Sequence, residues 1–281
     1  MGEMTRTYEP DNSLRKGYLC LLREIMEELV GNRWLTYQLF RRDFLSIYKQ
    51  SLIGLLWVVI LPIFSVAIFV ALRFAGVLRV GDLDVPYPIF AVLGIALWQL
   101  FSTGLVACSA SLVEAGSMIL KINVSKKSIV IASMGKSIVA FLIQMLLVCV
   151  LFLTYDVTPS LGIFLVPILI LPMILLTLGL GFIFSLLNGI LRDIANMLSI
   201  FLTSFMFLTP VLYAKPSTGF LANLTALNPL YYLVSAPRDL ILNGTTMEWP
   251  GFLLTSCGCG VVFIVCLVTF HLAETRVTER I

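Results

Sequence analysis

The sequence predicts an all-α membrane protein with six transmembrane helices. An N-terminal amphipathic interfacial helix precedes the first span, and an outer re-entrant helical hairpin precedes the last. Three observations carry this. First, 59% of the 281 residues are hydrophobic and only 12% are charged, against about 25% charge in soluble domains. Second, six apolar runs supply the roughly 20 residues that a helix needs to cross hydrocarbon. They lie near 51–72, 89–113, 134–155, 161–187, 194–213 and 250–271. Third, lysine and arginine collect on one side of those runs. With both termini cytoplasmic, the outer side keeps only Arg73, Arg79, Lys215 and Arg238, leaving 15 of 19 basic residues inside. The acidic residues divide 11 to 5, so the bias is carried by Lys and Arg, as the positive-inside rule requires.

In chain order, residues 1–50 form a cytoplasmic N-terminal region. It has no short apolar core before a small-residue cleavage site, so no cleavable signal peptide is expected. Within it, 18–50 read as one or two helices on the inner membrane surface. Trp34, Tyr37, Phe44 and Tyr48 fall near one face, flanked by Arg33, Arg41, Arg42 and Lys49. Aromatic bulk with basic flanks places such a helix in the headgroup plane, where the cations attract anionic lipid. A gate that meets a phosphate-bearing lipid and a plain anchor both satisfy this pattern.

Residues 51–281 make the six-span domain. Pro62, Pro167 and Pro172 fall inside spans, which membrane helices tolerate better than soluble ones. Between the second and third spans, "SLVEAGSMILKINVSKKS" places Val113, Met118, Ile119 and Leu120 at the spacing of one short helix, about 113–121, with lysines behind it. The segment 214–248 is too apolar for an ordinary loop and is broken by Pro229, Pro237 and Gly244. A re-entrant or interfacial hairpin fits it, because buried backbone must still satisfy its hydrogen bonds; a plain amphipathic loop is the alternative.

Several chemistries are excluded. "MGKS" at 134–137 lacks the glycine of a phosphate loop, having Val130 in its place, and it opens an apolar span rather than following a strand. The six cysteines are scattered without a C-x-x-C pair, which argues against a zinc site or a disulfide framework. His271, the single histidine, ends the last apolar run and reads as an interfacial side chain. Asn-x-Ser/Thr matches at Asn123, Asn223 and Asn243 are cheap by chance. Coupled carriers keep ionisable groups within their spans; here Glu114, Lys136 and Arg192 all lie near predicted cytoplasmic ends. If the chain moves something uphill, the energy is expected to enter through another subunit.

Five stretches in order resemble one family. "YKQSLIGLLWVVILP" (48–62) resembles the first-span signature of type II ABC exporter permeases, closest to the branch that exports polysaccharides and lipid-linked glycans. "ILKINVSK" (119–126), "LRDI" (191–194), "FLTPVLY" (207–213) and "LNPLYYLVSAPRDLILNG" (227–244) resemble its later motifs. Departures are Ile47 in place of an arginine, and Val124 and Ser125 in place of Phe-Pro.

The resemblance implies a permease in the bacterial cytoplasmic (inner) membrane, paired with a second copy of itself and with two copies of a separate ATPase. ATP and Mg would be bound by that partner, with no cofactor or metal in this chain, no catalytic residue and no nucleic acid. The substrate class is an undecaprenyl-linked or otherwise lipid-linked glycan: O-antigen of lipopolysaccharide, capsule or teichoic acid precursor. Val113, Glu114, Met118, Ile119, Leu120 and Lys121 would couple to the ATPase. Arg41, Arg42, Tyr48 and Lys49 would meet the lipid headgroup, guanidinium groups suiting phosphate by bidentate geometry. A channel between the two copies would be lined by aromatics, with Phe64, Phe69, Phe74, Phe201, Phe205 and Phe207 as candidates. Tyr213, Tyr231 and Tyr232 suit either that channel or an aromatic belt. The rival expectations are an exporter of a drug or small lipid on the same fold, a non-transporting assembly factor, and a stand-alone secondary carrier.

Overall fold

The computed structural model describes residues 18–49, 56–76, 85–119, 124–215 and 218–277. All regular structure among the described residues is helical. Two helices come first, α1 (Tyr18–Gly31) and α2 (Arg33–Lys49), then the apolar α3 (Trp57–Phe74). The long α4 (Tyr87–Glu114) follows, then a four-residue turn, α5 (Gly116–Ile119), and α6 (Lys126–Thr154). A 3-10 turn (Leu161–Leu165) leads through α7 (Val166–Leu169) into α8 (Leu171–Ile190). The rest comprises α9 (Ile194–Leu208), α10 (Phe220–Leu227), α11 (Pro229–Asn243) and α12 (Trp249–Val277).

Four stretches are long and apolar enough to cross a membrane: 87–114, 126–154, 161–190 and 249–274. They correspond to the predicted second, third, fourth and sixth runs. The third begins at Lys126 rather than at 134, because Ser125 caps it there. The predicted fifth run closes at Leu208 rather than 213, and at 15 residues α9 is short. Its end is set by Pro210, whose ring denies the helix a continuing hydrogen bond. The start of the predicted first span, 51–55, lies outside the described residues.

Helix α4 is the centre of the bundle. Its most apolar window is 78% buried, against 17–33% in the other three long helices. It packs chiefly on α6 and α8, and α8 packs on α12. Two polar pairs tie α4 to α6 across this apolar contact. Gln144 Nε2 donates to Gln99 Oε1 (2.6 Å), and Thr103 Oγ1 donates to Ser137 Oγ (3.1 Å). Such interhelical hydrogen bonds replace the hydrophobic drive that lipid removes.

The last third of the chain is organised by α11. Asn228 caps it, accepting from Leu230 N at 3.0 Å, with Pro229 in the first turn; Gly244 closes it in the left-handed region at φ 74°. The predicted hairpin segment is therefore two helices, α10 and α11, and α11 is largely buried against α4 and α12.

"MGKS" has a packing role. Any Cβ on Gly135 would collide with the Phe40 ring of α2, so the glycine is what lets α2 lie against α6. Gly135→Leu should cost about 1–3 kcal/mol by overpacking. The check is the melting temperature of the purified protein, and pairing the change with Phe40→Ala should recover most of the loss.

Candidate functional site

The site is built where α4 ends. Ala115 closes α4, its N–H bonding Ser111 O, and Met118 and Ile119 bond back to the Ala115 carbonyl at 2.9 and 3.0 Å. The predicted coupling residues therefore split between the last turn of α4 and the single turn α5. Glu114 is exposed, while Val113, Met118 and Ile119 are half-buried, the last two leaning on the core. Leu120 and Lys121 lie outside the described residues.

Helix α2 lies beside this turn. Arg42 Nη1 donates to Met118 Sδ at 2.9 Å, and its Nε and Nη2 hold Asp43 at 2.9 and 2.7 Å. A residue expected to read a headgroup thus touches one expected to read an ATPase. Arg41 is exposed. The side chains of Tyr48 and Lys49 lie outside the described set. Trp34 and Tyr37 project outward, 68% and 51% exposed, with ring centroids 5.8 Å apart. Phe44 turns inward against Phe40 (5.7 Å). Helix α2 is apolar on both sides: Leu39 and Phe40 face the bundle, while Trp34 and Tyr37 face away from it.

Behind α5 sits a cluster that sequence reasoning passed over. Lys127 is completely buried. Its ammonium donates to Glu28 Oε2 of α1 (2.8 Å) and to Glu274 Oε1 of α12 (2.5 Å). Ser125 Oγ donates to the other Glu28 oxygen (2.8 Å), and Lys126 Nζ donates to the Glu274 carbonyl (2.9 Å). His271, expected as an interfacial side chain, is buried within the bundle, with Nδ1 3.2 Å from Glu274 Oε1. The ligating atoms of Glu28, His271 and Glu274 lie within 4.8 Å of one another. Lys127 already supplies the cation there, and a metal ion would be repelled by it. The available signal was a lysine pair directly before an apolar run, together with His-x-x-Glu at the end of the last one.

Of the predicted channel aromatics, Phe64, Phe201 and Phe207 are exposed, by 65%, 59% and 57%. Phe205 is half-buried, stacked on Phe201 at 5.5 Å and tilted against Trp98 at 6.3 Å. The side chains of Phe69 and Phe74 lie outside the described set. Beside Phe205, α4 and α9 enclose an open groove of about 490 Å³ lined by Trp98, Gln99, Ser102, Thr103, Ser199 and Thr203, with Glu114 at one end. Tyr213 and Tyr232 donate their hydroxyls to the Phe207 and Ala226 carbonyls, and Tyr231 donates to Glu248 at 3.1 Å. Burial and the neighbouring Glu248 carboxylate push the Tyr231 phenol upward, so it stays a donor.

The opposite end of the bundle is held by Arg238, 3% exposed. Nη1 donates to the Val211 and Pro210 carbonyls (2.9 and 3.4 Å), and the guanidinium lies 3.9 Å from the Phe90 ring centroid. The backbone turned by "FLTPVLY" thus finds its hydrogen bonds on α11, while Gly94 leaves room for the Val211 carbonyl against α4.

An O-antigen export system permease protein RfbA of Klebsiella pneumoniae is 28% identical over 225 residues, spanning 76% of this chain and 85% of that one. A protein of the same description from Myxococcus xanthus is 26% identical over 216 residues, 75% of this chain and 82% of that one. The ABC-2 type transporter family matches residues 35–242, from α2 through nearly all of α11. A match of that extent takes in α5, the grooved α4–α9 pair and Arg238 together, and the chain belongs to the ABC-2 type transporter family.

Proposed function

We propose that this chain is the membrane-embedded permease subunit of an ATP-driven exporter that moves a lipid-linked, O-antigen-like polysaccharide outward from the inner leaflet. The observation that carries this reading is the similarity, over three quarters of the chain, to permeases described as O-antigen export proteins. In this reading the chain crosses the inner membrane six times with both termini in the cytoplasm, α3 and α9 supplying the spans beyond the four long ones. Helices α10 and α11 form a re-entrant hairpin at the outer face. Two copies pair, and each takes one ATPase subunit at residues 113–121. The lipid-borne phosphate meets Arg41 and Arg42, and the glycan passes along the exposed aromatics of α3 and α9. Sugar rings present apolar C–H faces that suit aromatic faces, while their hydroxyls suit polar groups such as Ser199 and Thr203.

Contact between Arg42 and Met118 supports a link between headgroup and ATPase ends. Replacing Arg41 and Arg42 together by alanine should lower surface glycan about tenfold at unchanged membrane protein level, the scale of one or two lost charge-assisted hydrogen bonds. Surface glycan labelling in a deletion strain complemented with each variant is the measurement. Unchanged glycan would remove the headgroup role. A deletion that alters drug sensitivity and spares surface glycan would favour the small-molecule exporter instead.

A further inference from the structure

We propose that Lys127 is a positioning residue for export. It joins three helix ends into one rigid body, so that motion of the coupling turn reaches the interfacial helices. The proposal rests on the export reading above and adds a residue to it.

Lys127 lies eight positions after Ile119, in the first turn of α6. Six residues of sequence, 120–125, separate α5 from α6, so a push on the turn would be passed along the chain to the head of α6. From there Lys127 reaches α1 through Glu28 and α12 through Glu274. Ser125 and Lys126 double both links, one to each partner helix. A second path runs from Met118 to Arg42 on α2. The segment expected to meet the ATPase is therefore tied to α2 at Met118, and the head of α6 that follows it is tied to α1 and to α12.

Stability alone is a poor reason for this arrangement. A buried ion pair contributes little beyond what well-packed apolar side chains of similar volume would give, because desolvation offsets the attraction. What the charges add is geometry. Apolar surfaces tolerate sliding, whereas an ammonium shared by two carboxylates holds three helix ends within hydrogen-bond length. Charged groups at the head of an apolar helix are costly and mark functional positions. Ser125 belongs to the device: its hydroxyl oxygen caps α6 at Ser128 N (3.5 Å) while donating to Glu28, and a proline could do neither with its side chain.

The test uses the full permease with its ATPase, reconstituted and in cells. In Lys127→Met, export per ATP hydrolysed should fall about tenfold, within the usual range of coupling energies. Glu28→Gln, which removes charge but keeps an acceptor for Ser125, should fall in the same direction and less. The exchange Glu28→Lys with Lys127→Glu keeps two acidic groups around one basic group and should restore much of the loss. An unchanged ratio in Lys127→Met overturns the proposal. So does a loss of export that only tracks a loss of protein, with Glu28→Gln behaving as wild type.

A spin-label pair at Met26 and Thr269, both exposed, reads the joint without any cargo, in a background lacking native cysteines. The wild type should give one narrow distance, the same with and without trapped nucleotide, and Lys127→Met a broad one. A wild-type distance that changes with nucleotide overturns the rigid joint. A wild type that exports no glycan but keeps the narrow distance refutes the cargo assignment and leaves the joint standing.

Discussion

Arg238→Met should cost about 3 kcal/mol of stability, the largest loss expected from a single substitution outside the Lys127 cluster. The change leaves the Val211 carbonyl without its donor at a buried position and removes the guanidinium from the Phe90 face. Asp239, 3.9 Å from Arg238 Nε and with its side chain 32% exposed, can turn to water, so it adds little. Burial pushes the arginine's pKa down from its ordinary value while the Asp239 carboxylate pushes it back up, and the guanidinium stays charged. Thermal unfolding in detergent is the measurement, and a fall of roughly 5 °C is expected for a chain of this size. Arg238→Lys should recover only part of it, because an ammonium cannot present a planar fork to two carbonyls while lying flat on a ring. A melting temperature equal to wild type would show that the turn at Pro210 holds itself.

The second large effect is expected at α5, the turn proposed to meet the ATPase. Ile119→Asp should reduce co-purification of the ATPase at least about tenfold, since burying an unpaired carboxylate in an interface costs well over the 1.4 kcal/mol that tenfold represents. Ile119 is half-buried, so the partner needs to cover only what the core leaves open. Membrane level of the variant, measured in parallel, separates loss of docking from loss of folding. ATPase retained at wild-type stoichiometry would place α5 against the membrane surface instead.

Much of this architecture is legible along the chain. The long apolar runs became α4, α6, the 161–190 stretch and α12, because twenty apolar residues have no stable alternative to a helix in lipid. Of the three residues expected to break the outer segment, Pro229 and Gly244 do bound α11, by capping rules that act within a few residues, whereas the helix runs through Pro237. Boundaries moved where a cap or a proline acts: Ser125 carried α6 earlier, and Pro210 stopped α9 sooner. The candidate site was legible as two separate groups, a coupling turn and a basic amphipathic helix. Nothing in their spacing says that Arg42 and Met118, 76 positions apart, would touch.

The sequence by itself determined the long apolar helices and the uneven charge, and it marked the short apolar segment after the second run. These follow from local propensity and from the solvent each run needs, which are properties of neighbours in the chain. Only the tertiary structure decided that Lys127, one of many basic residues near an apolar run, is the buried one between Glu28 and Glu274. The same holds for Arg238, buried in service of two carbonyls from another segment. A charge is buried only where partners from distant segments converge on it. That convergence is set by helix packing, and helix packing is not written at any one position.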